Sequence, residues 1–90
     1  MTTVYINIMP FALSGFTPSL PVPDHVFISC KKSEKCSLLI REVADACSVM
    51  PSQVVLLSYR NALFSVLSES ESLSSHLSFD TCFFAYLVMP

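Results

Sequence analysis

The chain has 90 residues, 52% of them hydrophobic and 13% charged, and a formal net charge of −2 at pH 7. That length holds one domain with a single core, the apolar content excludes intrinsic disorder, and five Lys and Arg against seven Asp and Glu leave no basic stripe for a nucleic acid. So apolar a composition requires either strands buried on both faces or an apolar surface turned toward a partner.

The first segment, Thr3 to Met9, alternates Val4, Ile6 and Ile8 against Tyr5 and Asn7. That period of two predicts a half-buried strand. The surrounding VYINIMPFALSG superficially suggests a signal peptide, but it has no basic leader and is broken by Asn7 and Pro10. No apolar run reaches the ~18 residues of a membrane span, and no membrane association is expected. Residues 10–23 carry Pro10, Pro18, Pro21 and Pro23 and the only glycine, Gly15, and predict a long Pro-rich loop. Its Phe11, Leu13, Phe16 and Leu20 have two readings: they pack back on the body, or they form a docking segment.

Asp24 to Lys31 alternates again, with Val26, Ile28 and Cys30 on one side, and predicts a second strand antiparallel to the first. Next, Cys36, Ile40, Val43 and Cys47 recur at helical spacing, with Leu39 and Ala46 beside them and Arg41, Glu42 and Asp45 on the other face. This predicts an amphipathic helix seated on a sheet. Ser33 is the better chemical cap, while the apolar register favours a start near Cys36. Pro51 disfavours helical geometry at Met50, so the helix should end near Cys47 or Ser48.

Val54 to Ser58 predicts a third strand, apolar on both faces, followed by a tight turn at Arg60 and Asn61 and a short fourth strand from Leu63 to Leu67. The tract from Ser68 to Ser75 reads as polar loop with Leu73 tucked inward, then a turn at His76 and Leu77. Thr81 to Val88 is dense in aromatic residues and predicts a final, central strand.

No catalytic constellation emerges, and none is expected. A Cys protease would need a thiolate beside an oriented His. Cys30 or Cys82 with His25 or His76 can be drawn together, but neither Cys stands in a Gly-rich or helix-start context. Asp80 and Glu71 read as isolated carboxylates. Cys30, Cys36, Cys47 and Cys82 show none of the paired spacing of a zinc site, so they are read as four buried reduced thiols, with a disulfide or a metal as lesser readings. Neither a metal nor a cofactor is expected, and the implied compartment is reducing, cytoplasmic or nuclear. Ser68 beside Glu69 and Glu71 is a minor phosphorylation candidate.

The order strand, strand, helix, strand, short strand, strand resembles the ubiquitin-like β-grasp. VADACSVMPSQVVLLSY is similar to the helix end, proline turn and third strand of ubiquitin-like domains, and SESESLSSHLSFDTCFFAYLV to their connection, one-turn helix and last strand. Within that superfamily, LLSYRNALFSVL and DTCFFAYLV look most like the ubiquitin-like domains embedded in ubiquitin-specific proteases. The resemblance covers the first strand and about Asp24 to Val88, and the long loop departs from it. It implies an α+β fold in which a mixed four- to five-stranded sheet packs on one helix, with residues 1–90 forming one domain. The ending Leu87, Val88, Met89, Pro90 lacks the Gly-Gly tail of conjugated modifiers, and only Lys31, Lys32 and Lys35 are available as acceptors. A non-conjugated interaction module is therefore expected.

If Val54, Leu56, Phe83, Ala85 and Leu87 face the helix, alternation turns Val55, Leu57, Phe84 and Tyr86 to the opposite face. By resemblance, Leu57 matches the central aliphatic residue of ubiquitin's recognition patch, and Tyr86 falls near the patch position on the last strand. These four residues are the candidate binding patch, unless the Pro-rich loop covers them. The expected partner is a protein, either the catalytic domain of a deubiquitinase or another protein of the ubiquitin pathway, and the chain is expected to be monomeric. The alternative is a stand-alone adaptor or Ras-association-like module that uses the second strand's edge with Lys31, Lys32 and Lys35.

Overall fold

Period-two alternation and one helical stripe dictate the architecture of this protein. The computed structural model describes residues 2–12, 23–77 and 81–89. They form β1 (Thr2–Ala12), β2 (His25–Cys30), α1 (Cys36–Cys47), β3 (Val54–Arg60), β4 (Leu63–Val66) and β5 (Cys82–Met89), with 3₁₀ turns at Pro51–Gln53 and Leu73–Ser75. The strands make one mixed sheet in the order β2-β1-β5-β3-β4. Only the central β1/β5 pair is parallel. This is the β-grasp, with the last strand inserted between the first and the third.

The helix lies across one face. Val4, Ile6 and Ile8 of β1, Ile28 and Cys30 of β2, Val54 and Leu56 of β3, and Phe83, Ala85 and Leu87 of β5 are buried together with Cys36, Leu39, Ile40, Val43, Ala44 and Cys47 of α1. Each large aliphatic side chain removed from water here contributes about 1.5–3 kcal/mol before entropy is counted. The stripe selects Ala44 rather than Ala46, which is exposed. The two alanines flank the stripe on opposite sides, and the sheet lies on the side of Ala44.

The helix begins at Cys36, and its N-cap Lys35 makes no side-chain capping bond. Of the two starts the sequence left open, the one at Cys36 given by the apolar register holds, and the neighbouring loop rather than Ser33 supplies the capping. The Cys36 and Ser37 N–H groups donate to the carbonyls of Glu71 (2.9 Å) and Glu69 (3.2 Å). Two of the donors that a helix start leaves open are thereby satisfied through backbone. At the other end Ser48 takes a left-handed conformation (φ 57°), and the Val49 N–H returns to the Ala44 carbonyl at 3.0 Å.

Several boundaries differ from the sequence expectation. β1 runs through Pro10 to Ala12, because its parallel pairing with β5 continues to Ala12↔Met89 after pairing with β2 has ended at Asn7↔His25. A proline is tolerated where one side of a strand has no partner. Residues 10–12 of the expected long loop are therefore strand, and residues 13–22 lie outside the described residues. β3 extends to Arg60, and the tight turn falls at Asn61 and Ala62, both with positive φ (53° and 63°), as a two-residue hairpin that matches strand twist requires. β4 ends at Val66, although the Leu67 N–H still donates to the Leu56 carbonyl at 2.9 Å and Leu67 is buried. Leu73 is buried at the start of its 3₁₀ turn, as the polar tract around it predicted.

Candidate protein-interaction face

The sheet face away from α1 is apolar. Cross-strand register assigns its members, because directly paired residues project to the same side. Leu57 pairs with Phe84 on one flank and Val66 on the other, Val55 with Tyr86, and Tyr59 with Phe64 and Cys82. The four residues of the expected patch, Val55, Leu57, Phe84 and Tyr86, thus occupy adjoining positions on β3 and β5. Val55, Leu57 and Phe84 are half-buried and Tyr86 is 37% exposed.

β4 enlarges the patch. Phe64 is 57% and Val66 69% exposed. The Phe64 ring lies 4.6 Å from that of Tyr59 and 5.7 Å, edge-on, from that of Phe84, centroid to centroid. Such pairs are worth about 0.5–1.5 kcal/mol beyond the area they bury, so the rings hold one another in place without covering the patch. Sequence reasoning recognised β4 as a strand but assigned it no face. Alternation carried from Leu57 across the hairpin would have found Phe64 and Val66.

A second aromatic group sits toward the other edge of the same face. Tyr5 stacks on His25 with centroids 5.0 Å apart and meets Phe27 edge-on at 5.0 Å. Between the two groups, the Asn7 side-chain amide donates to the Phe83 carbonyl at 3.3 Å, which makes a polar seam beside β5. At the opposite end, Gln53 clamps the proline turn to the sheet. Its Oε1 accepts the Met50 N–H at 3.0 Å, and its Nε2 donates to the Val88 carbonyl at 3.1 Å. The base of β3 is thereby tied to the end of β5, and the patch rests on a braced pair of strands.

Lys31, Lys32 and Lys35 are exposed in the connection between β2 and α1, and β2 is an edge strand. Among the thiols, Cys30, Cys36 and Cys47 are buried, and all four cysteines are free. Burial pushes all three buried thiols up, with the nearby charge of Glu34 adding to the effect at Cys30 and that of Glu71 at Cys36. A catalytic thiol needs the opposite shift. Cys82 departs from the expectation of a buried thiol. It is exposed because alternation puts it on the open face, one residue before buried Phe83.

A cleft of about 530 Å³ beside the starts of β1 and β5 includes Lys32 and Cys82 in its lining and, among the described residues, no histidine. His25 is packed into the aromatic group described above. Glu71 is not isolated, since its Oε2 lies 3.0 Å from His76 Nε2 and accepts the Ser68 N–H at 3.2 Å. Asp80 lies outside the described residues, as do Phe16 and Leu20, which with Phe11 are the loop side chains expected to compete for the patch. No helix among the described residues is long and apolar enough to cross a membrane.

Comparison with solved structures decides the fold. The C-terminal ubiquitin-like domain of mouse tubulin-specific chaperone e, known from a solution structure, superposes with a TM-score of 0.65 at 12% identity, over 98% of this chain and 87% of that one. The fold is ubiquitin-like. The crystal structure of the ubiquitin-like domain of PLXNC1 gives a TM-score of 0.62 at 6% identity, over 96% of this chain and 99% of that one. No family model and no curated protein matches the sequence. The ubiquitin-like fold is therefore carried here by a sequence with little identity to either neighbour. Its polar and apolar surface is best read from its own residues.

Proposed function

We propose that this chain is a ubiquitin-like interaction module, without catalytic activity of its own, which docks a protein partner through the open sheet face. The observation that carries this reading is the continuous apolar surface of Val55, Leu57, Phe84 and Tyr86, extended by Phe64 and Val66. Soluble domains rarely leave contiguous apolar area of this kind on a sheet face unless something binds there. An aromatic-rich centre with a polar border also has the composition of a protein-binding hot spot.

The setting we propose is a ubiquitin-specific protease, with the module acting on that enzyme's catalytic domain in the cytoplasm or nucleus. The resemblance of LLSYRNALFSVL and DTCFFAYLV to the ubiquitin-like domains embedded in such proteases supports this assignment. A second reading, a stand-alone adaptor or Ras-association-like module, is favoured by the edge position of β2 beside Lys31, Lys32 and Lys35.

Salt separates the two. Calorimetric titration against the isolated catalytic domain of a ubiquitin-specific protease should give an affinity that changes by no more than about threefold between ~0.1 and ~1 M salt, because an apolar contact is not screened. A loss beyond about tenfold over that range would transfer the interface to the lysines, and an absence of binding would refute the protease setting.

A further inference from the structure

The fold brings together three donor groups that lie far apart in the sequence. Cys36 opens α1 and is fully buried, Glu71 belongs to the connection between β4 and β5, and His76 follows the 3₁₀ turn of that connection. The Cys36 sulfur, a Glu71 carboxylate oxygen and a His76 ring nitrogen all lie within 4.8 Å of one another. Main-chain bonds hold them there. The Cys36 N–H donates to the Glu71 carbonyl at 2.9 Å, the Leu73 N–H to the Glu34 carbonyl at 2.9 Å, and the His76 N–H to the Leu73 carbonyl at 2.9 Å, while Lys35 and Ser72 form an isolated bridge between these bonds.

We propose that Cys36, Glu71 and His76 form a binding site for one zinc ion. Sulfur, imidazole nitrogen and carboxylate oxygen make a borderline-soft donor set that suits zinc better than magnesium or calcium, which prefer all-oxygen shells. Three protein ligands with water in the fourth position complete a tetrahedron. At zinc bond lengths of about 2.0–2.3 Å, tetrahedral donors stand roughly 3.3–3.8 Å apart. The observed Glu71–His76 separation of 3.0 Å must open slightly and the longest separation must close by about 1 Å. Both adjustments fall on the carboxylate and the imidazole, whose side chains are 43% and 22% exposed, and leave the buried sulfur in place. On binding, the Cys36 S–H bond breaks, its proton passes to solvent and the sulfur lone pair is donated to the metal. The ion would staple the start of α1 to the crossover connection, away from the apolar sheet face, so this site stands independently of the docking proposal.

Cobalt is the probe, because a thiolate bound to Co²⁺ gives a charge-transfer absorption that zinc removes by displacement. The intact chain is expected to bind one cobalt with that band, and zinc is expected to raise its melting temperature. Cys36→Ser should abolish the band, His76→Gln and Glu71→Gln should each weaken binding at least about tenfold, and Cys82→Ser should bind unchanged. Because a substitution at buried Cys36 can disturb folding, the decisive variant is His76→Gln, with its fold checked by circular dichroism. The proposal is overturned if no charge-transfer band appears, if folded His76→Gln binds as tightly as the parent, or if the band is lost in Cys82→Ser.

Discussion

Leu57 on β3 and Phe84 on β5 face each other across the sheet, while Leu56, one residue earlier, is buried against α1 and faces Ala85. Two adjacent leucines therefore have different physical roles, and truncating each should give different costs. Leu56→Ala should lose roughly 2–5 kcal/mol as a core cavity. Leu57→Ala, half-buried, should lose only about 1 kcal/mol, about half the burial value of a leucine side chain. Urea denaturation of the two variants checks this. Equal losses would mean that the face opposite the helix is as closed as the core.

Gln53 should be worth more than its surface position suggests. Its amide bridges the Met50 N–H and the Val88 carbonyl, so Gln53→Ala removes two hydrogen bonds and should cost about 1–2 kcal/mol. Gln53→Glu should be worse than Gln53→Ala, because a carboxylate beside the Val88 carbonyl replaces a donor with a charge that cannot donate. Midpoints of thermal unfolding for both variants test that order.

The β3–β4 hairpin carries a residue poorly suited to its conformation. Ala62 sits at φ 63°, a region that costs a non-glycine residue roughly 1–2 kcal/mol. Part of the gain on replacement returns as extra unfolded-state entropy. Ala62→Gly should therefore stabilise the chain by about 0.5–1 kcal/mol, read as a raised urea midpoint with an unchanged slope.

The three buried thiols and one exposed thiol predict both reactivity and alkaline behaviour. In the native state an alkylating reagent should label Cys82, and Cys30 and Cys47 only on unfolding. Burial raises the pKa of Cys30 and Cys47 in the folded chain, so the native state holds their protons after the unfolded state has released them. Their contribution is thus fully present below the unfolded thiol value near ~8.5 and is lost as pH rises from there through the folded value, by up to about 1.4 kcal/mol per pH unit for each thiol. Stability measured between pH ~8 and ~10 should fall less steeply in Cys47→Ala than in the parent chain.

Much of the fold was legible because its signals are local. Alternation in VYINI, HVFISC and TCFFAYLV, the helical stripe from Cys36 to Cys47, and the stop at Pro51 each follow from a few neighbouring side chains. The boundaries that shifted depend on distant partners. β1 continues through Pro10 because β5 lies beside it, and α1 starts without a capping side chain because the Glu69–Glu71 backbone reaches it. The four patch residues could be assigned to one face because a period of two sends Val55 and Leu57 to the same side. The face of Phe64 and Val66 was legible too, since alternation carried across the turn puts both on the side of Leu57, and only their pairing partners depend on the turn at Asn61 and Ala62. The grouping of Cys36 with Glu71 and His76 was invisible, since no short spacing joins residues that only the crossover connection brings together.

The central claim is that recognition occurs on the open face around Leu57. Backbone amide shifts of the isotope-labelled chain, followed during titration with the catalytic domain of a ubiquitin-specific protease, test it most directly. The predicted result is perturbation centred on Val55, Leu57, Phe64, Phe84 and Tyr86, with Leu57→Asp weakening binding by at least about tenfold while the fold persists, as expected for a desolvated hot-spot residue. Perturbation confined to β2 and Lys31, Lys32 and Lys35, or binding unchanged in Leu57→Asp, would contradict it.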